Sequence, residues 1–185
     1  EMCIRDRRTL YSYLVEWAQI TSHHVAVIDI HGEEITYEML LNRVNSRAYL
    51  LEKKHAFGRV VISEHSRGIE CLVDILACSA VGAIYIPIDP QWPEARRKHI
   101  KTITNAAAIF TENTSHVTEA KAPLGVTFLE RVDDPFNTPS YCFFTSGSAG
   151  EPKGALIAHM GMMNHLHSKA CLLYTSDAAD DSLRV

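Results

Sequence analysis

The chain has 185 residues, of which 46% are apolar and 22% charged, and its formal net charge is −4. That length is one domain's worth, able to bury about two-thirds of the surface its unfolded form exposes, and the apolar content excludes a disordered polymer. With 18 basic against 22 acidic residues there is no broad positive field for nucleic acid, and no uncharged apolar run is long enough to span a bilayer. The first residues carry charges of both signs without an apolar core, unlike a secretory leader. Five cysteines, an odd number without CxxC spacing, argue against a disulfide framework or a zinc site and point to a reducing, cytoplasmic setting.

The two ends share an unexpected relation. Glu1-Met2-Cys3-Ile4-Arg5-Asp6-Arg7 can be encoded as GAG-ATG-TGT-ATA-AGA-GAC-AGx. The reverse complement contains TGT-CTC-TTA-TAC-ACA-TCT, which translates as the Cys171-Leu172-Leu173-Tyr174-Thr175-Ser176 of this same chain. An inverted repeat at both ends of a reading frame looks like the transposon-end adapter of sequencing libraries. The expectation is therefore adapter read-through over residues 1–7 and 171–185, flanking a partial domain over residues 8–170, with both end segments poorly packed.

Within that span, Leu10, Tyr13, Leu14, Trp17 and Ile20 recur at helical spacing and predict an amphipathic helix over about residues 9–21. Val25 to Ile30 is a β-branched strand, and His31-Gly32-Glu33 turns it into a short return strand. Thr36 is placed to cap a second helix whose apolar face is Met39, Leu40, Val44, Ala48 and Leu51, with Lys53-Lys54-His55 in its last turn. Arg59 to Ser63 reads as a buried strand. A third helix over about residues 67–81 lines Ile69, Leu72, Val73, Leu76 and Ala80 on one stripe, and Gly82 suits a left-handed stop. Ala83 to Ile88 is a strand halted by Asp89-Pro90 and Pro93. Glu94 to Ile103 is a basic amphipathic helix, and Ala107 to Thr111 and Ser140 to Thr145 are further strands. Residues 112–139 read as loops. Strands alternating with helices predict an α/β fold, a parallel sheet with flanking helices.

The chemical content is concentrated in Tyr141-Cys142-Phe143-Phe144-Thr145-Ser146-Gly147-Ser148-Ala149-Gly150-Glu151-Pro152-Lys153-Gly154. An apolar strand runs straight into three hydroxyl residues, three glycines and a lysine. Glycines let backbone amides approach an anion, successive amides form a concave nest, hydroxyls add donors and lysine adds a mobile charge. Each part suits a polyphosphate. A Walker loop is excluded because Pro152 occupies the glycine's place and Gly154 follows the lysine. A dinucleotide fingerprint fails because Ala149 stands two residues after Gly147. On composition alone, a solvent-exposed Ser/Gly turn is an equal reading.

The order of residues moves that balance. Thr145 to Gly154 resembles the phosphate-binding signature Thr-Ser-Gly-[Ser/Thr]-[Thr/Ser]-Gly-x-Pro-Lys-Gly of the adenylate-forming (AMP-binding) enzymes. Ala149 stands where a hydroxyl is usual, one donor fewer. Ile35-Thr36-Tyr37-Glu38-Met39-Leu40 is similar to that family's Leu-Thr-Tyr-x-Glu-Leu motif. Ala80 to Pro90, followed by Trp92-Pro93 and Arg96, is similar to its Gly-Ala-x-Tyr-x-Pro-x-Asp-Pro motif in the form typical of amino-acid-activating members. His159-Met160-Gly161-Met162-Met163-Asn164-His165-Leu166 resembles the peptide-synthetase subgroup.

The resemblance implies the N-terminal part of the large subdomain of an adenylation domain from a nonribosomal peptide synthetase, which joins an amino acid to AMP. It implies ATP and Mg²⁺, release of pyrophosphate, and capture of the adenylate by phosphopantetheine on a carrier-protein domain or by coenzyme A. Carried over by position, Thr145, Ser146, Gly147, Ser148, Gly150, Lys153 and Gly154 hold the ATP phosphates. The family's catalytic lysine, metal-binding acid and substrate pocket belong to segments downstream of these motifs. The alternatives are an acyl-CoA-synthetase-like or carrier-protein ligase of the same fold, or a noncatalytic nucleotide-binding remnant.

Other residues read more simply. Ten histidines invite a metal site, but His165 and His167 fall on different sides of a helix and no spacing gathers three ligands. His159 packs or caps where strand gives way to helix, and Cys71, Cys78, Met160, Met162 and Met163 read as core. Asp89-Pro90 reads as a strand stop, Arg96 as a residue of the following helix, and Glu151 as solvent-facing.

Overall fold

The computed structural model describes residues 8–114, 134, 137–146 and 152–181, with backbone alone at 114, 146 and 171–181. Helix α1 (Leu10–Ile20) opens on a reciprocal cap, in which the Thr9 hydroxyl accepts the Ser12 amide and the Ser12 hydroxyl accepts the Thr9 amide. Its inward face is Tyr11, Leu14 and Ala18, not the stripe read from spacing; Trp17 and Ile20 are 48% and 66% exposed. Long-range hydrogen bonds accompany this rotation of the helix. The Tyr11 amide donates to Ser79 Oγ (3.3 Å) and its phenol donates to Asn45 Oδ1 (2.8 Å).

Strands β1 (Val25–Ile28) and β2 (Glu34–Thr36) form the expected hairpin. Asp29 Oδ1 accepts the amides of His31 and Glu33 at 2.8 Å, and Gly32 adopts φ 82° in the turn. Thr36 then caps α2 (Tyr37–Lys53) by accepting the Met39 amide. Leu40, Val44, Ala48 and Leu51 are buried as expected, whereas Met39, in the first turn, is 46% exposed. Lys53 ends the helix, while Lys54 and His55 lie past it.

The central sheet has the order β5-β3-β4-β6-β7, made of β3 (Val60–Glu64), β4 (Ile84–Pro87), β5 (Ala108–Thr111), β6 (Pro139–Ser146) and β7 (Pro152–Ala158). The first four strands are parallel, joined through helices α3 (Ile69–Val81), between β3 and β4, and α4 (Glu94–Thr104), between β4 and β5. Gly82 ends α3 in the left-handed conformation at φ 72°, its amide returning to Cys78 O. Strand β7 is the strand expected to give way to helix at His159, but its extent and its partner are not legible in the sequence. It pairs antiparallel with β6 and adds an edge before α5 (His159–Asp181).

Strand residues alternate between two cores, as buried parallel strands require. Val61, Tyr85, Ala108, Phe110 and Tyr141 pack with α1, α2 and α3. Ile62, Ile86, Cys142 and Phe144 pack on the other face with Ile88, Trp92 and Ile100. Of the methionines after β7, Met162 and Met163 are buried, but Met160 is 38% exposed and is not a core residue. Residues 164–170 are all exposed, so the burial at Met162 and Met163 is not repeated over that stretch of α5.

One ionic cluster lies inside the first core. Arg47, 4% exposed, donates to Asp74 and to Glu70 (2.7 Å), and its guanidinium lies 4.4 Å above the Phe110 ring. Asp74 is fully buried, accepts the Ser63 hydroxyl at 2.7 Å, and lies 3.3 Å from His65 Nε2. Burial pushes the Asp74 carboxyl up to about 6 against the pull of Arg47, and burial together with Arg47 lowers His65. Removing one partner of such a pair strands the other. Asp74→Ala is therefore expected to cost about 3 kcal/mol in urea unfolding, with Asp74→Asn costing less because its amide oxygen still accepts from Arg47 while its NH2 donates to the Ser63 hydroxyl.

Burial also drives His159 down to about 4. The folded state then holds this imidazole neutral where the unfolded chain protonates it. That stability is complete above about pH 6.5 and is lost as pH falls toward 4. Asp74, raised in the fold, acts in the opposite sense between about 6 and its unfolded value. His159→Gln is expected to remove the first effect. Its stability relative to the parent should rise by about 2 kcal/mol between pH 7 and about pH 5, read from urea midpoints.

Candidate functional site

The loop singled out in the sequence is the tip of the β6–β7 hairpin. The ladder runs Cys142↔Leu156, Phe143↔Ala155, Phe144↔Gly154, Thr145↔Lys153 and Ser146↔Pro152, so residues 147–151 join two strands held in register up to their last pair. Gly147, Ser148, Gly150, Ala149 and Glu151 lie outside the described residues. Thr145 and Lys153 face each other across the mouth, both exposed, with the Thr145 hydroxyl 3.5 Å from the Lys153 carbonyl. Lys153 makes no ion pair among the described residues. The mouth stands at the carboxyl end of β6, and β6 runs parallel to β4 and thus to β3, the end at which open α/β sheets place ligands.

Gly154 has a packing reason as well as its place in the motif. A Cβ there would come within 3.0 Å of Cys142 Sγ and 3.2 Å of Phe144 Cζ. The bare backbone at 154 is what lets the Phe144 ring and the Cys142 thiol lie across the hairpin. Cys142 is 5% exposed and burial raises its thiol, so it is a poor nucleophile.

Beside the mouth, Asp89 Oδ1 accepts the Gln91 amide at 2.8 Å, forming the turn that follows β4. Trp92 leads into α4. Arg96 lies against the Trp92 ring at 4.1 Å and donates from Nη2 to the Phe144 carbonyl at 3.1 Å. Arg96 is thus more than the helix residue its position suggested. Its signal in the sequence was an aromatic four residues before an arginine at a helix start, but nothing local named the carbonyl 48 residues away. The neighbouring cations are already engaged. Arg97 and Lys101 both bind Glu64, and together they hold that buried carboxyl below its ordinary range although burial acts the other way.

The remaining candidates stay apart from this mouth. Cys71 donates to the Ser66 carbonyl at 3.1 Å and is partly exposed, while Cys78 is buried. His165 and His167 are exposed, with His167 edge-on to the Tyr13 ring at 6.1 Å. Among the described residues no three His, Cys, Asp or Glu side chains converge on one point. No helix of the described residues is long and apolar enough to cross a membrane.

A mostly parallel sheet with helices on both faces, closed at one edge by the β6–β7 hairpin, defines an α/β unit. The AMP-binding enzyme family matches residues 14–183, and the chain belongs to it. A mycosubtilin synthase of Bacillus subtilis is 31% identical over 176 residues, covering 86% of this chain and 6% of that protein. Among solved structures, the N-terminal subdomain of Klebsiella oxytoca NpsA matches with TM-score 0.67 and 23% identity over 82% of this chain and 42% of its own. The nonribosomal peptide synthetase FmoA3, solved with α-methyl-L-serine-AMP bound, matches with TM-score 0.68 and 23% identity over 82% of this chain and 18% of its own. A Mycobacterium tuberculosis fatty acyl CoA synthetase matches with TM-score 0.64 and 18% identity over 82% of this chain and 34% of its own. The chain therefore spans a small part of its curated relatives and under half of these solved chains.

The Gly154 contacts generate a direct test. Gly154→Val is expected to lower stability by about 1–3 kcal/mol through overpacking, and to speed alkylation of Cys142 as the hairpin opens. Thermal midpoints and thiol labelling of the purified chain measure both.

Proposed function

We propose that this chain is the phosphate-binding portion of an amino-acid adenylation domain of a nonribosomal peptide synthetase. The observation that carries the reading is the β6–β7 register, which sets Thr145 opposite Lys153 at the mouth of a Ser/Gly loop at the carboxyl end of a parallel sheet. Thr145, Ser146, Gly147, Ser148, Gly150 and Lys153 would hold the β- and γ-phosphates of ATP while a carboxylate attacks the α-phosphorus. The leaving pyrophosphate gains negative charge in that step. A lysine with no ion pair among the described residues and a set of hydroxyl and amide donors stabilise it where it forms. Gly154 serves by keeping the strands close enough to present those donors together. Magnesium would neutralise phosphate charge in the complete enzyme. No side chain of the described residues is assigned to it. The acceptor is a thiol, phosphopantetheine on a carrier-protein domain or coenzyme A.

The expected domain limits belong to the same proposal: residues 8–170 as the partial domain, with 1–7 and 171–185 as adapter read-through. α5 is helical in backbone as far as Asp181, and the family match runs through residue 183. Amplifying the source gene across both junctions decides this point, since native codons in place of the repeat would remove it. The same sequence extended past residue 170 separates the peptide-synthetase reading from an acyl-CoA-synthetase-like ligase, whose fold the chain shares. A downstream carrier domain supports the first, and a lysine-bearing lid domain alone supports the second.

The 185-residue chain alone is expected to show no ATP–pyrophosphate exchange, because the downstream groups are missing. Grafted into a complete homologous synthetase, this segment should support exchange. Thr145→Ala, Ser146→Ala and Lys153→Ala should each lower kcat by about 10²–10³ with smaller changes in KM for ATP. Parental rates in all three variants would leave the loop as a simple turn.

A further inference from the structure

We infer that Arg96 is a positioning residue for the phosphate loop, holding the strand end from which the loop departs. This rests on the phosphate reading of Thr145 to Gly154, but its structural half stands separately. Strand β6 meets β4 at Tyr85–Tyr141 and then continues toward the loop with β7 alone on its other side. Three residues beyond that ladder pair, Arg96 Nη2 donates to the Phe144 carbonyl at 3.1 Å, a backbone tie from α4 to the strand end. The next residue is Thr145, the first hydroxyl of the loop.

The arginine is itself held. Its guanidinium lies 4.1 Å over the Trp92 ring. Trp92 and Phe144 both pack on the core of Ile62, Ile86, Ile88, Ile100 and Cys142. The Trp92 carbonyl accepts from Arg97 Nε at 3.1 Å, which ties the start of α4 to the same corner. Arg96 Nε is buried with no hydrogen-bond partner among the described residues, so the side chain is kept there for what Nη2 and the stacked face do. A flat, permanently charged donor is suited to this: stacking fixes its plane, and the remaining N–H aims along that plane at one carbonyl. A charged donor to a partly buried carbonyl is among the stronger single hydrogen bonds. Losing it frees the loop's first strand end without emptying the core.

Amide hydrogen exchange on the 185-residue chain, with Arg96→Met and Arg96→Lys, tests this. Methionine keeps apolar bulk on Trp92 but removes the donor, while lysine restores a charged donor. Arg96→Met is expected to speed exchange about tenfold in the peptide spanning Thr145 to Gly154 and to leave β3, α2 and α3 unchanged, with Arg96→Lys recovering only part of the protection because lysine donates without the fixed, stacked plane. Titration of the same proteins with inorganic tripolyphosphate should show about tenfold weaker binding in Arg96→Met, again recovered in part in Arg96→Lys. Unchanged exchange in Arg96→Met, or a loss spread evenly over the chain, overturns the positioning role whatever tripolyphosphate does. A parent chain that does not bind tripolyphosphate, while Arg96→Met still loosens the hairpin end selectively, leaves Arg96 as the anchor of the strand end and refutes the phosphate reading.

Discussion

The antiparallel ladder between β6 and β7 is the constraint on which the candidate site depends. Six consecutive pairs, from Tyr141↔Ile157 to Ser146↔Pro152, apart from the shift near Pro139, fix the two strand ends, Ser146 and Pro152, against each other. A one-residue slip would turn every side chain of β7 to the opposite face, removing Lys153 from Thr145 and setting a side chain where Gly154 now lies under Phe144. The glycine therefore enforces register as well as proximity. Any other residue at 154 would press its Cβ on Cys142 and Phe144, which would have to give by a few tenths of an ångström.

That ladder can hold its place because the rest of the sheet is buried on both faces. Val61 and Ile62 are adjacent and fully buried, yet belong to different cores, one closed by α1, α2 and α3 and the other by α4. The parallel strands are thereby fixed between two helical layers, and β6 inherits its direction from β4. Polar residues inside these layers carry their own requirements. Arg47 is tolerable at 4% exposure because Asp74, Glu70 and the Phe110 ring surround it, and Asp74 because Ser63 and Arg47 satisfy both its oxygens. Such a cluster orients α2 and α3 against β3 more by the penalty for any other arrangement than by net stabilisation.

Charge is distributed in a way that matters for an anion site. Three cations of α4 are engaged internally: Arg97 and Lys101 with Glu64, and Arg96 with a carbonyl and a ring. Lys153 stands apart from these pairings at the loop mouth. A protein with a net negative charge has little general attraction for a polyphosphate, so affinity there has to come from local donors and a single mobile cation.

The sequence by itself determined the order of helices and parallel strands, the Thr36 cap, the Gly82 stop, the turn at His31-Gly32-Glu33 and the loop's chemical character. These depend on neighbours within about four residues, where spacing and side-chain type are sufficient. It also carried the family, because three motifs kept their order. Only the tertiary structure decided which side of α1 is buried, since the hydrogen-bonded Tyr11–Ser79 pair joins residues 68 apart. It alone made β7 a partner of β6, set Met39 and Met160 outside the core, and showed why residue 154 is glycine. It likewise brought Arg96 to Phe144. Helical and strand periodicity report local geometry, whereas facing and partnership are settled by which distant surfaces are buried together.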